Sequence, residues 1–158
     1  MSTATPIKRS PEIAALSRDH HHTLLLSWKI RQGTKRNVET GRIAAYALHF
    51  YDTHIKEHFL EEEVLLFSKL PENDELRTRA INEHHQLRAL FGSLTGIPVE
   101  YEQLLQLGDK LDQHVRFEER TLFPHIEKTF STEELQQVGL ALAGKGVAAP
   151  SWDDEFWK

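Results

Sequence analysis

The 158-residue chain contains no cysteine. That excludes disulfides, thiolate metal sites, iron–sulfur ligation and a cysteine nucleophile, and it leaves the redox compartment open. Long apolar runs are absent too: nothing approaches the roughly eighteen residues that a membrane span requires, and the opening MSTATPIKRSPE holds no apolar stretch of signal-peptide type. The expectation is a cytoplasmic protein with no membrane contact. Positive charge is in deficit. Nineteen Lys and Arg stand against 24 Asp and Glu, a formal charge of -5, which argues against a nucleic-acid partner. The short basic stretches KRS and KIRQGTKR read as solvated surface. No phosphate-binding loop or nucleophile motif appears, so no dedicated organic substrate is indicated.

Runs of β-branched residues are scarce as well. Abundant Leu, Ala, Glu, Gln and Arg at 3.6-residue period predict an all-α chain, long enough for one domain with its own core. Ser10-Pro11-Glu12 reads as an N-cap and first turn. The helix it opens carries Ile13, Leu16, His20, Leu24 and Trp28 on one stripe and ends near Gly33. A second helix spans about Val38 to Phe67, with Leu48, Tyr51, Ile55, Phe59, Leu65 and Leu66 inward. Asn73 or Asp74 caps a third that reaches Leu94, and Gly96-Ile97-Pro98 breaks the chain. The fourth starts near Val99 and presents Leu104, Leu107, Leu111, His114, Glu118 and Leu122. A capping box at Ser131–Glu134 opens a shorter fifth helix that fades at Gly144 and Gly146. The expected architecture is an up-and-down four-helix bundle over 10–145 with a short additional C-terminal helix. Residues 1–9 form a flexible N-terminus, and residues 146–158 form a tail that is either flexible or a strap whose tryptophans dock on the bundle.

What the chain does have is ten histidines, and polar residues inside its apolar stripes. HFLEEEVLLFSKL and HVRFEERTLFPHI begin fifty-six residues apart, and each holds a His-x3-Glu pair: His58 with Glu62, and His114 with Glu118. That spacing stacks both side chains on one helical face. His20 in RDHHHTLLL and His84 in NEHHQLRAL occupy the inward stripes of the first and third helices. Helical phase favours His20 over His21 and His22. Six nitrogen and oxygen donors thus converge where unpaired carboxylates are costly. Two metal ions cancel that charge. A sulfur-free, histidine-rich, carboxylate-bridged site suits iron or manganese, and zinc usually takes fewer ligands.

RDHH, HFLEEEVLLF, NEHHQL and HVRFEERTLFP resemble the hemerythrin family, including bacterial hemerythrin-like domains with the His-His-Glu cation-binding signature. The resemblance covers about Ser10 to Phe130. It implies a bundle around two iron ions (Fe2+/Fe3+) bridged by carboxylates and an oxo or hydroxo group, with manganese or zinc ranked behind iron. The metal ligands it implies are His20, His58, Glu62, His84, His114 and Glu118. Members bind or sense dioxygen or a related small oxidant, act on peroxide or nitric oxide, handle iron, or serve as metal-dependent regulatory modules with a protein partner. Two departures stand out. Oxygen-carrying members have a His-x3-His pair on the third helix, where this chain has His84 and then Arg88; and their last ligand is an aspartate five residues after its histidine, where this chain offers Glu118 or Glu119. Helical phase selects Glu118, and His54 is a candidate replacement for the missing imidazole. His85 and His125 are expected at or near the surface. Glu61, Glu63 and Glu119 are expected on solvated faces or behind the ligands. Phe59, Phe117, Leu65 and Leu122 are expected beside the metals, with Trp28 in the core.

Overall fold

In helix α1 (Ala14–Lys35) the buried side chains Leu16, His20, Thr23, Ser27 and Ile30 recur at alternating steps of three and four. This is the spacing that keeps one stripe on a helix of 3.6 residues per turn. A constant step of four drifts by about 40° at each repeat. That drift is why the sequence-based stripe through Leu24 and Trp28 fails: Trp28 is 47% exposed and belongs to no core. The start also shifts. Residues 11–13 form a turn, Ile13 occupies the N-cap position without a side-chain cap, and Ser10 instead donates its backbone N–H to the Glu127 carboxylate. The computed structural model describes residues 8–145 and 151–158. Most of the expected N-terminal segment and the expected boundary at 146 lie outside them.

The second and fourth predicted helices are each interrupted by a π-helical segment. α2 (Thr40–Phe50) passes through Tyr51–Ile55 into α3 (Lys56–Leu65). After α4 (Glu75–Ser93), α5 (Tyr101–Phe117) passes through Glu118–Leu122 into α6 (Phe123–Thr129). A π turn inserts a residue and rotates the inward face, a distortion common at functional sites. α7 (Thr132–Leu142) completes the set, opened by the expected capping box: Ser131 Oγ accepts from Glu134 N and Glu134 Oε1 accepts from Ser131 N. Asp74 caps α4 by accepting from Leu76 N and Arg77 N at 2.9 and 3.1 Å. Its other oxygen accepts from His125 Nε2 at 2.6 Å, so His125 is a clamp between α6 and α4 rather than a solvent-facing group.

Among the described residues this all-α bundle has two apolar clusters. One is built on Leu26, Ile30, Phe50, Phe91 and Leu107; the other on Leu16, Phe67, Leu122, Phe123 and Val138. Along each long helical stretch, the polar inward residues fall where the chain changes from one cluster to the other. A polar layer therefore crosses the middle of the bundle, held in place by apolar packing on both sides. The C-terminal segment is a strap. Phe156, not a tryptophan, is its deepest residue, 3% exposed; Trp152 and Trp157 pack against Tyr46 at ring distances of 5.6 and 5.4 Å. Arg42 donates to Asp154 twice, and Lys29 Nζ lies 3.9 Å from the Trp157 ring. Among the described residues no helix is long and apolar enough to cross a membrane.

Candidate metal centre

α1 delivers His20, α3 delivers His58 and Glu62, α4 delivers His84, the end of α5 delivers His114, and the π segment that follows opens with Glu118. All six side chains are buried. Glu118 N donates to His114 O, so ordinary α geometry persists between these two residues before the π segment widens. That detail puts Glu118 inward on the His114 face and turns Glu119 to the side.

The side chains form two groups that share both glutamates: His20, His58, Glu62 and Glu118, and Glu62, His84, His114 and Glu118. Within each group one ligand atom per residue lies within 4.8 Å of all the others. Glu62 Oε1 is 3.4 Å from His58 Nε2 and 3.2 Å from His84 Nε2. Glu118 Oε1 is 2.9 Å from His20 Nε2, while its Oε2 is 3.4 Å from His114 Nε2 and 3.7 Å from His84 Nε2. Both carboxylates therefore face imidazoles of both groups. Glu62 Oε2, 3.9 Å from His20 Nε2, brings the inward atoms to eight; among the described residues six of them are buried without a hydrogen-bond partner: Nε2 of His58, His84 and His114, both oxygens of Glu62, and Oε2 of Glu118.

Each imidazole turns its Nδ1 outward to a carboxylate. His84 Nδ1 donates to Glu63 at 2.6 Å, His114 Nδ1 to Glu83 at 2.7 Å and His58 Nδ1 to Asp19 at 3.2 Å; His20 Nδ1 faces Glu119 at 3.4 Å. Arginines hold three of these carboxylates from behind. Arg88 binds Glu63, Arg79 binds Glu83, and Arg9 binds Glu119, which also accepts from Ser17 Oγ. Such carboxylate–histidine pairs fix the tautomer and ring orientation of metal-binding imidazoles. The pattern has an internal two-fold character. Asp19–His20 on α1 corresponds to Glu83–His84 on α4, and His58, Glu62, Glu63 correspond to His114, Glu118, Glu119.

Burial opposes charge on every imidazole here, but the carboxylates outweigh it. Glu118 and Glu119 push His20 up to about 9, Glu62 and Asp19 push His58 up to about 10, and Glu118, Glu62 and Glu63 push His84 up to about 11. Burial likewise opposes ionisation of Glu118, yet His114, His20 and His84 hold it well below the usual carboxylate range. The layer demands positive charge, from protons or from metal.

The model of the hemerythrin HHE cation-binding domain matches residues 12–126. The chain belongs to this family. No curated protein and no solved structure matches it. As a hemerythrin it carries two His/Glu clusters of the kind that hold a di-metal, oxygen-binding centre. The Arg88 position, a histidine in oxygen-carrying members, serves the centre through Glu63. Neither group includes His54; it is buried, and burial pushes its pKa down. His21 and His85 are exposed.

Phe59 stacks on His84 with ring centroids 3.9 Å apart, as expected of a wall residue. The other rings against the imidazoles are Phe67 on His84 and Phe123 on His20, both at 5.3 Å, which sequence reasoning did not single out. Phe117 meets Arg79 at 4.0 Å, outside the imidazoles, and Leu65 is only partly buried. Asp19, Glu83, Arg9 and Arg79 were also missed. For the two acids a signal existed: each directly precedes an inward histidine, in both halves of the chain.

Proposed function

We propose that this hemerythrin is a non-haem di-iron protein that binds or senses dioxygen or a related small oxidant, with His20, His58, Glu62, His84, His114 and Glu118 as metal ligands. The observation that carries this reading is the set of six buried inward atoms without hydrogen-bond partners. An unpaired buried polar atom costs about 1–3 kcal/mol. Six together match the entire stability of a typical domain, about 5–15 kcal/mol. Cations between the groups remove that penalty. Four imidazoles and two carboxylates without sulfur suit iron or manganese. Iron is preferred because it also exchanges electrons; manganese and zinc rank behind it.

When bound, the iron pair supplies the electrons that pass to the oxidant. The protein's residues do the rest. Glu62 and Glu118 face both groups and can hold two cations at once. The four Nε2 atoms would complete the hold on the cations, while Asp19, Glu63 and Glu83 keep Nδ1 of His58, His84 and His114 protonated and Glu119 faces that of His20. Phe59, Phe67 and Phe123 exclude water beside the imidazoles. A cytoplasmic setting and a bundle domain bounded at 10–145 remain part of the proposal.

A second reading, turnover of peroxide or nitric oxide, draws on Arg88. It is committed to Glu63 and adds no fifth imidazole, which favours an open position on one metal. Metal analysis with optical spectra under anaerobic, air-exposed and re-reduced conditions separates the two. About two irons per chain with reversible bands supports binding, irreversible bleaching moves the assignment to turnover, and less than about half an iron rejects the di-iron centre.

A further inference from the structure

The stripe that ends in the His58–Glu62 pair continues backwards through aromatic rings. His54, Phe50 and Tyr46 precede His58 at steps of four. In an α-helix that step drifts by about 40° at each repeat. The Tyr51–Ile55 π segment, with its wider turn, takes back part of the drift and keeps the rings in one row. Ring centroids are 6.1 Å apart from Tyr46 to Phe50, 5.0 Å from Phe50 to His54 and 6.4 Å from His54 to His58, and all four side chains are buried. Beyond Tyr46 the row enters the C-terminal strap, where Trp152 and Trp157 lie 5.6 and 5.4 Å from it. A continuous line of rings thus joins a metal-facing imidazole to two partly buried tryptophans.

The other half of the two-fold pattern has no such row. The same steps back from His114 reach Lys110, Gln106 and Glu102. Oxidisable side chains are scarce as well. There is no cysteine and the single methionine is Met1, so electrons are drawn most readily from three tryptophans and three tyrosines. Two of those tryptophans and Tyr46 are gathered at the far end of the row. The third, Trp28, is 47% exposed on α1 and belongs to neither apolar cluster. The two strap indoles are not equivalent. Lys29 Nζ lies 3.9 Å from the Trp157 ring, and a cation there opposes loss of an electron. Trp152 packs instead on the His49 imidazole, at 4.9 Å between centroids.

We propose that the row Tyr46–Phe50–His54–His58 is an electron path from the strap to the metal centre. Trp152, through Tyr46, is the internal reductant for peroxide that reaches the centre when no external reductant is present. The proposal rests on the di-metal reading above. Tyr46 gives up one electron and its phenolic proton, and the Trp152 indole restores both. Two such transfers reduce one peroxide, with two protons, to two waters. The twice-oxidised indole takes an oxygen from solvent water and releases two protons. The net change converts one tryptophan and one peroxide to one hydroxylated tryptophan and one water.

The test treats the iron-loaded, oxidised full chain with hydrogen peroxide in isotopically labelled water, without reductant. Peptide mass spectrometry then reads oxygen addition at each tryptophan. Native protein gains solvent-derived oxygen at Trp152, while the more exposed Trp28 gains none. Tyr46→Phe keeps the ring, the iron content and the thermal midpoint but loses the modification at Trp152. Phe50→Leu, which breaks the row, loses it too. When Trp152→Phe and Trp157→Phe are combined, the electron lost by Tyr46 is not replaced, and freeze-quenched samples show a tyrosyl signal by electron paramagnetic resonance. Adding Tyr46→Phe abolishes that signal. Modification of Trp28 equal to that of Trp152, oxygen derived from peroxide, or absence of the tyrosyl signal overturns the proposal. So does Trp152 modification that persists in Tyr46→Phe or in chelator-stripped protein. Iron-loaded native protein whose Trp152 stays unmodified overturns the proposal alone. Failure of native protein to take up iron defeats the di-iron reading, and the proposal with it, before any variant is made.

Discussion

Glu63 accepts a hydrogen bond from His84 Nδ1 at 2.6 Å across the bundle, while Arg88, one turn beyond His84, holds the same carboxylate at 2.8–2.9 Å. In oxygen-carrying hemerythrins the Arg88 position is itself a ligand. Here it acts one bond further out, by fixing the acceptor that fixes the imidazole. Burial opposes ionisation of Glu63, but His84 and Arg88 together hold it down at about 2.

Glu63→Gln keeps the shape of that side chain and removes its charge. Metal affinity should fall about 10–100-fold, the range typical for groups that orient a metal-binding histidine. Arg88→Met, which leaves the carboxylate in place, should lose less. Competition against a chelator of known affinity measures both, and equal affinity in native and Glu63→Gln protein would remove Glu63 from this role.

Glu62→Leu should cost both metal and stability. It deletes a carboxylate facing three imidazoles, so metal uptake should be lost. It also removes one partner from a buried charged set, a change that costs about 3–5 kcal/mol, because the protonated rings of His58 and His84 lean on this carboxylate. The chelator-stripped variant should therefore melt below the stripped native protein near neutral pH. An unchanged midpoint, or metal still bound, would contradict the prediction.

The metal-free protein should weaken as pH rises above neutrality. His20, His58 and His84 titrate near 9, 10 and 11 in the folded state, against about 6.5 unfolded. A raised pKa contributes stability that is complete below the unfolded value and is lost as pH rises through the folded one. Glu118 has the opposite sign: its depressed pKa contributes above about 4.5 and is lost on acidification. Denaturant midpoints of stripped protein should thus fall between about pH 6.5 and 11, whereas metal affinity rises over the same interval because bound protons must leave. A flat profile for the stripped protein would show that the imidazoles are neutral without metal.

The C-terminal strap should depend on Gly33 and Phe156. A Cβ on Gly33 meets Ile43 Cδ1 at 2.8 Å and Phe156 Cδ2 at 2.9 Å, so Gly33→Ala should push the phenylalanine outward. Phe156→Ala removes a buried ring, a change that costs about 3–5 kcal/mol. Both variants should lower the thermal midpoint and shift the tryptophan emission of Trp152 and Trp157 to the red. Unchanged emission in Phe156→Ala would mean the strap is held by Arg42–Asp154 and Lys29–Trp157 instead.

The six inward residues were legible because each violates an apolar periodicity at a position that periodicity defines. His58 with Glu62 and His114 with Glu118 need only a helix to share a face, and His20 and His84 need only the phase of their stripes. Trp28 was misjudged for the converse reason: a step of four looks helical over one turn and drifts off the stripe over two. The strap was open to two readings because local pattern does not say what a short aromatic segment finds to pack on.

By itself, the amino-acid sequence determined the approximate helical stretches, the cap at Ser131 and the identity of the polar layer, since these depend on contacts three or four residues apart, and it narrowed the α4 cap to Asn73 or Asp74. Only the tertiary structure decided how that layer is wired. Glu63 reaches His84, Glu119 reaches His20, and Arg9 reaches Glu119 from another element altogether. Asp19 and Glu83 look like surface residues along their own helices, yet each meets an imidazole on a different helix. The π segments belong to the same class. They change which residue faces inward without leaving a local mark in the chain, and one of them carries His54, buried beside His58.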